Sequence, residues 1–149
     1  FGCRQKLAAR TMNKFFVDTN ILVYAYDVSE GEKHRIASAL IEDLWNTGNG
    51  VISVQVLQEF FVTVTRKVAK PVLPAIAREW AARYLSWQVV AADGQSVMNA
   101  IELQSQYQVS FWDAMILQAA QRAEASTLLS EDLNDGQQYG AVVVKNPLR

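Results

Sequence analysis

The chain has 149 residues, of which 50% are hydrophobic and 19% are charged, and this is enough to bury a substantial core within one domain. The formal net charge is only −1 at pH 7, so nucleic-acid binding would need a local basic patch. Cys3 is the single cysteine, which excludes a disulfide framework and a thiolate metal site and favours a reducing cytoplasm. No apolar run reaches the roughly 18 residues that span a bilayer, so we expect no membrane association.

The first eleven residues form a basic stretch without periodicity. We interpret residues 1–11 as a vector-derived or unstructured leader, with Met12 as the natural start. A transit peptide is the alternative, because the stretch contains Arg and Lys but no acid, although it is very short for that role. Without it the Lys and Arg count falls from 14 to 11 against 15 acids, and the net charge becomes −4.

Short β-branched or apolar runs alternate along the chain with longer segments of helical spacing. The predicted strands are 15–17, 51–54, 88–90, 127–129 and 141–144. The predicted helices are 34–45, 54–68, 74–85, 96–107 and 111–123. This alternation predicts a single α/β domain in which helices flank a mostly parallel sheet of about five strands.

Two acids closely follow predicted strands: Asp18 in FFVDTN and Asp132 in LLSEDLNDG. Ligands of open α/β sheets bind beyond the carboxyl ends of the strands, so these two carboxylates are predicted to share a cleft. Each acid also has a structural alternative. Asp18, Thr19 or Asn20 would cap the following helix, and the segment around Asp132 is rich in turn-forming residues.

Asp113, in SFWDA, lies in a predicted helix. It shares the i, i+3, i+4, i+7 stripe of Ile116, Leu117 and Ala120, and an acid on an inward stripe is rarely left unpaired. A helix cap is the alternative, because Ser110 and Asp113 form a variant of the capping box. The spacing favours a site over a solvated cap.

Glu59, in SVQVLQEF, has the weakest local signal of the four acids. Its helix carries an apolar stripe, and Glu59 points away from that stripe. The stripe consists of Leu57, Phe60, Phe61, Val64 and Val68. Spacing alone therefore favours an exposed helix glutamate.

If the fold gathers these four acids, they predict a metal site. Two carboxylates ~4 Å apart repel by about 4 kcal/mol at an effective dielectric near 20, which divalent cations or protonation would relieve. Hard oxygen ligands favour Mg²⁺ or Mn²⁺, and such clusters suit metal-assisted attack on phosphodiesters.

Several other chemistries are excluded or less favoured. His34 is the single histidine, so a His-rich zinc site is excluded and a Ser-His-Asp triad has one candidate base. There is no glycine-rich phosphate loop, and the Trp and Phe residues fall largely at core spacing, which favours packing over a base-stacking platform.

A phospho-receiver signalling domain is the main rival. It would use Asp18 to bind Mg²⁺, Asp93 as the phosphoacceptor and Lys145 near the final strand. This alternative leaves three of the four acids without roles and lacks a second acid beside Asp18.

The chain resembles the PIN-domain nucleases, and among them the VapC-like toxins of bacterial type II toxin-antitoxin pairs. The resemblance covers residues 13–148 and depends on four blocks in the family's order. These are FFVDTNILVYAYD, SVQVLQEF with its glutamate, SFWDAMILQAA, and LLSEDLNDGQ running into VVVKNPL. It implies a PIN-like α/β/α sandwich that forms a nuclease domain over residues 12–149.

The resemblance also implies roles for particular residues. Four acids would be catalytic metal ligands: Asp18, Glu59, Asp113 and Asp132. Asp135 would be an outer or second-metal acid, and Thr19 and Asn20 would orient the site. The implied activity is an endoribonuclease with one or two Mg²⁺ or Mn²⁺ ions, and the implied partners are an RNA substrate, a cognate antitoxin protein and a second copy of the chain in a homodimer.

A small basic cluster follows Glu59 at the end of its helix. It consists of Arg66, Lys67 and Lys70. With the resemblance, this cluster is a candidate for contacts with RNA phosphates, whereas the three residues by themselves favour a solvated helix terminus.

Overall fold

The computed structural model describes residues 13–149, so the interpretation of residues 1–11 lies outside the described residues. Six strands are formed: β1 (Phe15–Val17), β2 (Gly50–Ser53), β3 (Gln88–Val90), β4 (Thr127–Leu129), β5 (Gln138–Tyr139) and β6 (Val142–Lys145). Six α-helices flank them: α1 (Thr19–Tyr26), α2 (Glu32–Thr47), α3 (Val54–Arg66), α4 (Pro74–Arg83), α5 (Gly94–Tyr107) and α6 (Phe111–Arg122). Within residues 13–149, every helix is too short or too polar to span a bilayer.

The strands form one sheet in the order β3-β2-β1-β4-β6-β5. All neighbouring pairs are parallel except β5 and β6, which are antiparallel. Strand β1 lies at the centre, and the fully buried Phe16 and Val17 pack there against the helices. The predicted α/β fold with a mostly parallel sheet is confirmed. Its topology brings the carboxyl ends of β1, β2 and β4 to one edge, where ligand sites of such sheets form.

The boundary between β2 and α3 differs from the prediction. Val54, predicted to end the strand, is the first residue of α3. Ser53 sets this boundary, because its Oγ accepts a 3.3 Å hydrogen bond from the N–H of Val56 and caps the helix. Helix α2 is longer than predicted, since it begins at Glu32 and ends where Gly48 adopts a left-handed φ of 74°.

Other elements also differ from the prediction. The two-residue strand β5 was not predicted, because two residues are too few to produce a period-two pattern. The predicted helix 74–85 ends as an α-helix at Arg83 and continues as a 3₁₀ turn, Tyr84–Ser86. The last strand begins at Val142, one residue later than predicted, and includes Lys145.

Candidate catalytic site

A cavity of about 610 Å³ opens at the carboxyl edge of the sheet, and the four predicted acids line it. Asp18 directly follows β1 and Asp132 lies in the loop after β4, whereas Glu59 is on α3 and Asp113 is in the first turn of α6. The structure therefore brings together four carboxylates that are widely separated in the sequence.

Asp18 is both a helix cap and part of the cavity wall. It is only 5% exposed, and its Oδ1 accepts a 2.7 Å hydrogen bond from the N–H of Thr19 at the start of α1. Its Oδ2 accepts a 2.7 Å hydrogen bond from the Ser130 hydroxyl. Burial raises the pKa of Asp18 to about 7, against the opposing effect of these two hydrogen bonds, and the charges of Asp132 and Glu59 add to the rise.

Glu59 is half-buried and faces the same cavity. The Thr19 hydroxyl donates a 2.6 Å hydrogen bond to its Oε1, and Gln55 Nε2 donates a longer bond of 3.4 Å to its Oε2. The residue that we expected to orient the site thus contacts one of the acids directly.

The expectation that spacing alone gave for Glu59, an exposed position opposite the apolar stripe, was wrong. The buried face of α3 consists of Val56, Phe60 and Val64, whereas Phe61 is 36% exposed. The helix is therefore rotated relative to the predicted stripe, and Glu59 lies beside the buried face at the rim of the cavity.

Asp113 also combines two roles. Its N–H donates a 3.1 Å hydrogen bond to Ser110 Oγ, so Ser110 caps α6 as the sequence suggested. Its carboxylate is half-buried in the cavity wall. Burial raises the pKa of Asp113, a hydrogen bond from Ser110 opposes this, and the nearby charges of Asp132 and Glu59 raise it further.

Asn20 fixes the loop that carries Asp132. Its Nδ2 donates a 3.0 Å hydrogen bond to Asp132 Oδ2, and its Oδ1 accepts a 3.2 Å bond from the N–H of Glu131. Ser130 links Asp18 to Asp132, and the sequence analysis did not identify it. Its hydroxyl donates to Asp18 Oδ2, and its Oγ accepts a 3.2 Å hydrogen bond from the N–H of Asp132. The only sign of Ser130 in the sequence was its position in a turn directly after a predicted strand.

Asp135 is placed apart from the other four acids. It is exposed, and its Oδ1 accepts a 2.9 Å hydrogen bond from the N–H of Asn146 just beyond β6. The residues that line the acidic cavity do not include it. In this position Asp135 anchors the turn before β5.

The three residues of the predicted basic cluster, Arg66, Lys67 and Lys70, lie in different surroundings. Lys67 lines the acidic cavity, whereas Lys70 lines a neighbouring cavity that includes Tyr26. Arg66 is exposed in the last turn of α3. Lys67 is therefore the best placed of the three to meet a ligand of the acids.

The residues of the rival phospho-receiver reading are not gathered. Asp93 caps α5, where its Oδ1 accepts from the N–H of Ser96 at 2.9 Å, and its Oδ2 pairs with Arg122 at 3.0 Å. The backbone hydrogen bond from Ser96 is the main reason that the pKa of Asp93 is lowered. Neither Asp93 nor Lys145 lines the cavity that contains Asp18.

The chemistry of the cavity fits a hard divalent cation, because the four predicted acids line it together with Asp27 and Glu30. Two of the predicted acids, Asp18 and Asp113, have a raised pKa. In this conformation no group of three Asp, Glu, His or Cys side chains within residues 13–149 is arranged to hold an ion. Glu59 and Asp132 instead accept hydrogen bonds from Thr19 and Asn20.

The fold and the cavity together define an α/β/α protein with an acidic site at the carboxyl edge of its sheet. The family model of the PIN domain matches residues 15–135, and the chain belongs to that family. No curated protein matches the chain.

Two solved structures are similar in fold. One is a toxin-antitoxin complex from Klebsiella pneumoniae, with a TM-score of 0.65, 21% identity, and coverage of 91% of this chain and 98% of that chain. The other is VapC20 of Mycobacterium tuberculosis, a toxin that cleaves the sarcin-ricin loop. It has a TM-score of 0.63, 18% identity, and coverage of 80% of this chain and 92% of that chain.

Proposed function

We propose that the protein is a metal-dependent endoribonuclease that acts in the cytoplasm as the toxin of a VapBC-type toxin-antitoxin pair. The observation that carries the proposal is the meeting of four carboxylates in one cavity of a PIN-domain fold. The similarity to a toxin that cleaves the sarcin-ricin loop supports an RNA substrate.

The proposed reaction is hydrolysis of an RNA phosphodiester. Bound Mg²⁺ or Mn²⁺, as one or two ions, would supply the activated water and neutralise charge on the phosphate. The ligands would be Asp18, Glu59, Asp113 and Asp132, with Thr19 and Asn20 orienting two of them through the hydrogen bonds described above.

The single histidine does not serve as the base in this scheme. His34 Nδ1 lies 2.9 Å from the carbonyl oxygen of Tyr24, and the residues that line the acidic cavity do not include it. In this scheme the carboxylates hold the ion that activates the water, and Lys67, which lines the same cavity, would bind a phosphate beside them.

An antitoxin protein and a homodimer belong to the same proposal. An acidic cavity would accept an Arg side chain from the antitoxin, since guanidinium and carboxylate groups form strong paired hydrogen bonds. The similarity to a toxin-antitoxin complex supports such a partner. Co-expression with the neighbouring reading frame, followed by affinity capture and light scattering, tests both. Recovery of a monomer without a small partner protein would contradict them.

The decisive experiment is cleavage of total cellular RNA by the purified protein with Mg²⁺, with Mn²⁺ and with EDTA. Asp113→Asn should lower the cleavage rate by about 100-fold or more, because removal of one charged ligand costs several kcal/mol of transition-state stabilisation. Glu102→Gln, an exposed acid on α5, is the matched control and should cleave like the parent. Metal-dependent cleavage retained by Asp113→Asn would overturn the assignment.

A further inference from the structure

Trp112 is an exposed aromatic residue beside the acidic cavity. It directly precedes Asp113 in the first turn of α6, and it is 64% exposed. The sequence expectation that the aromatic residues largely pack in the core is wrong for this one. Core packing therefore does not account for a large indole ring at this position.

The ring forms a wall shared by two cavities. One is the acidic cavity, and the other is a cavity of about 310 Å³ between α3, α6 and the residues that follow β3. Gln55 Nε2 donates to the Trp112 carbonyl at 3.3 Å and to Glu59 Oε2 at 3.4 Å. The Phe111 ring packs edge to face against the indole, with centroids 5.1 Å apart. Trp112 is thus held in a defined position relative to the acids.

The second cavity has the chemistry of a nucleobase site. Its lining is mostly apolar, with Val54, Val90 and Met115 among the residues. Gln118 also lines it and is 3% exposed. The Gln118 Nε2 donates to the Met115 carbonyl at 3.0 Å, which fixes the amide orientation. Its Oε1 has no donor among residues 13–149, and an unpaired buried acceptor favours a ligand that brings an N–H group.

We propose that Trp112 stacks against one base of a single-stranded RNA, next to the phosphodiester that the four acids cleave, and that this base occupies the second cavity. Bases stack on aromatic side chains irrespective of sequence, and every RNA base carries an N–H group, the kind of donor that the buried Gln118 Oε1 lacks. The inference rests on the proposed ribonuclease function and assigns it a substrate-binding residue. RNA is favoured over a protein ligand because the second cavity adjoins the acidic site, with Trp112 in the lining of both.

Binding of short fluorescently labelled oligo-A, oligo-C and oligo-U RNA tests the proposal in an Asp113→Asn background, which prevents cleavage. Trp112→Ala should weaken binding by about tenfold, the usual effect of losing one base stack. Trp112→Phe should retain most of the affinity. Leu85→Ala is the control, because Leu85 is similarly exposed at 68% and lies outside both cavities.

Intrinsic fluorescence gives a second readout that a structural role would not change. RNA should quench the tryptophan emission of the Asp113→Asn protein, and Trp112→Phe should abolish this quenching while the RNA remains bound. Equal RNA affinity of Trp112→Ala and its parent would overturn the proposal, as would absence of RNA binding by the parent. If Trp112→Ala no longer captured the antitoxin but bound RNA as well as its parent, that result would also overturn the proposal.

These outcomes are distinct from failure of the ribonuclease assignment. That assignment fails if the parent chain does not cleave RNA in a metal-dependent way, or if Asp113→Asn cleaves as well as the parent. The stacking proposal fails alone if the parent cleaves and the Trp112 variants bind and cleave as it does.

Discussion

The Thr19 hydroxyl donates a 2.6 Å hydrogen bond to Glu59 Oε1 and thereby joins the first turn of α1 to α3 across the acidic cavity. The backbone N–H of the same residue bonds to Asp18 Oδ1. One threonine therefore restrains two of the four acids. Hydrogen bonds to a charged acceptor are about twice as strong as neutral ones, so this contact is well suited to orient Glu59.

Replacement of Thr19 by Val should impair catalysis without unfolding the protein, because Val has the same shape but no hydroxyl donor. We expect the cleavage rate to fall by about 10-fold to 100-fold, as is typical when a residue that orients a metal ligand is lost. Thr19→Ser should retain most of the activity. Initial cleavage rates at saturating Mg²⁺ measure this effect, and a Val variant as active as the parent would remove Thr19 from the site.

Asp18 should make the protein less stable as pH rises. Its pKa is about 7 in the folded protein against 3.8 for an ordinary aspartate, so the folded state binds this proton more tightly than the unfolded state. The stabilisation is complete below about pH 4 and is lost as pH rises through 7. At pH 8, Asp18→Asn should therefore be more stable than the parent by about 1–4 kcal/mol.

Urea unfolding in EDTA between pH 4 and pH 8 measures this difference. The difference in the free energy of unfolding between Asp18→Asn and the parent should narrow as pH falls. If the free energies of unfolding of the two proteins stayed a constant distance apart from pH 4 to pH 8, Asp18 would be charged to the same extent in the folded and unfolded states.

Divalent cations should stabilise the folded parent. A ligand that binds only the folded state adds about 2.7 kcal/mol at a concentration 100 times its Kd. The thermal midpoint should therefore rise with Mg²⁺ or Mn²⁺, and the rise should be smaller in Asp18→Asn and Asp113→Asn. Asp135→Asn is the matched control, since Asp135 bonds to the backbone of Asn146 outside the cavity. If the thermal midpoint of Asp135→Asn rose less with metal than that of the parent, Asp135 would have to be counted as a metal ligand.

Lys67 should contribute more to RNA affinity than Arg66 or Lys70, because it lines the acidic cavity. For single-stranded RNA, each lost phosphate contact reduces the slope of log K against log salt by about 0.7. We expect this change for Lys67→Gln and a smaller one for the other two. Arg78→Gln, an exposed residue of α4, is the control. An unchanged slope in Lys67→Gln would reject the contact.

The sequence predicted the parts of the site that depend on strand ends. Asp18 and Asp132 follow strands whose parallel order places their carboxyl ends together, and this follows from the alternation of strands and helices. Glu59 was different, because α3 carries apolar residues on more than one face. Tertiary packing buried the face with Val56 and Phe60. The local pattern of apolar residues does not show which face of α3 turns toward the core.

Contacts between distant segments were also outside the reach of local patterns. Ser130 touches Asp18 across 112 positions of sequence, and β5 exists only because it pairs with β6. The exposure of Trp112 depends on how α6 lies against α3 and on the residues after β3. Each of these features is decided by packing after the elements have formed.

The four acids come from four elements, and Asp132 enters the chain last. A ribosome-bound chain that has not yet emerged past this residue has three of the carboxylates but lacks the Asn20-Asp132 bridge and the pairing of β4 with β6. On the proposed function, such a chain would lack one metal ligand and would cut the RNA of the ribosome that is making it far more slowly. On the same proposal, the separation of the acids along the sequence would delay toxicity until synthesis is nearly complete.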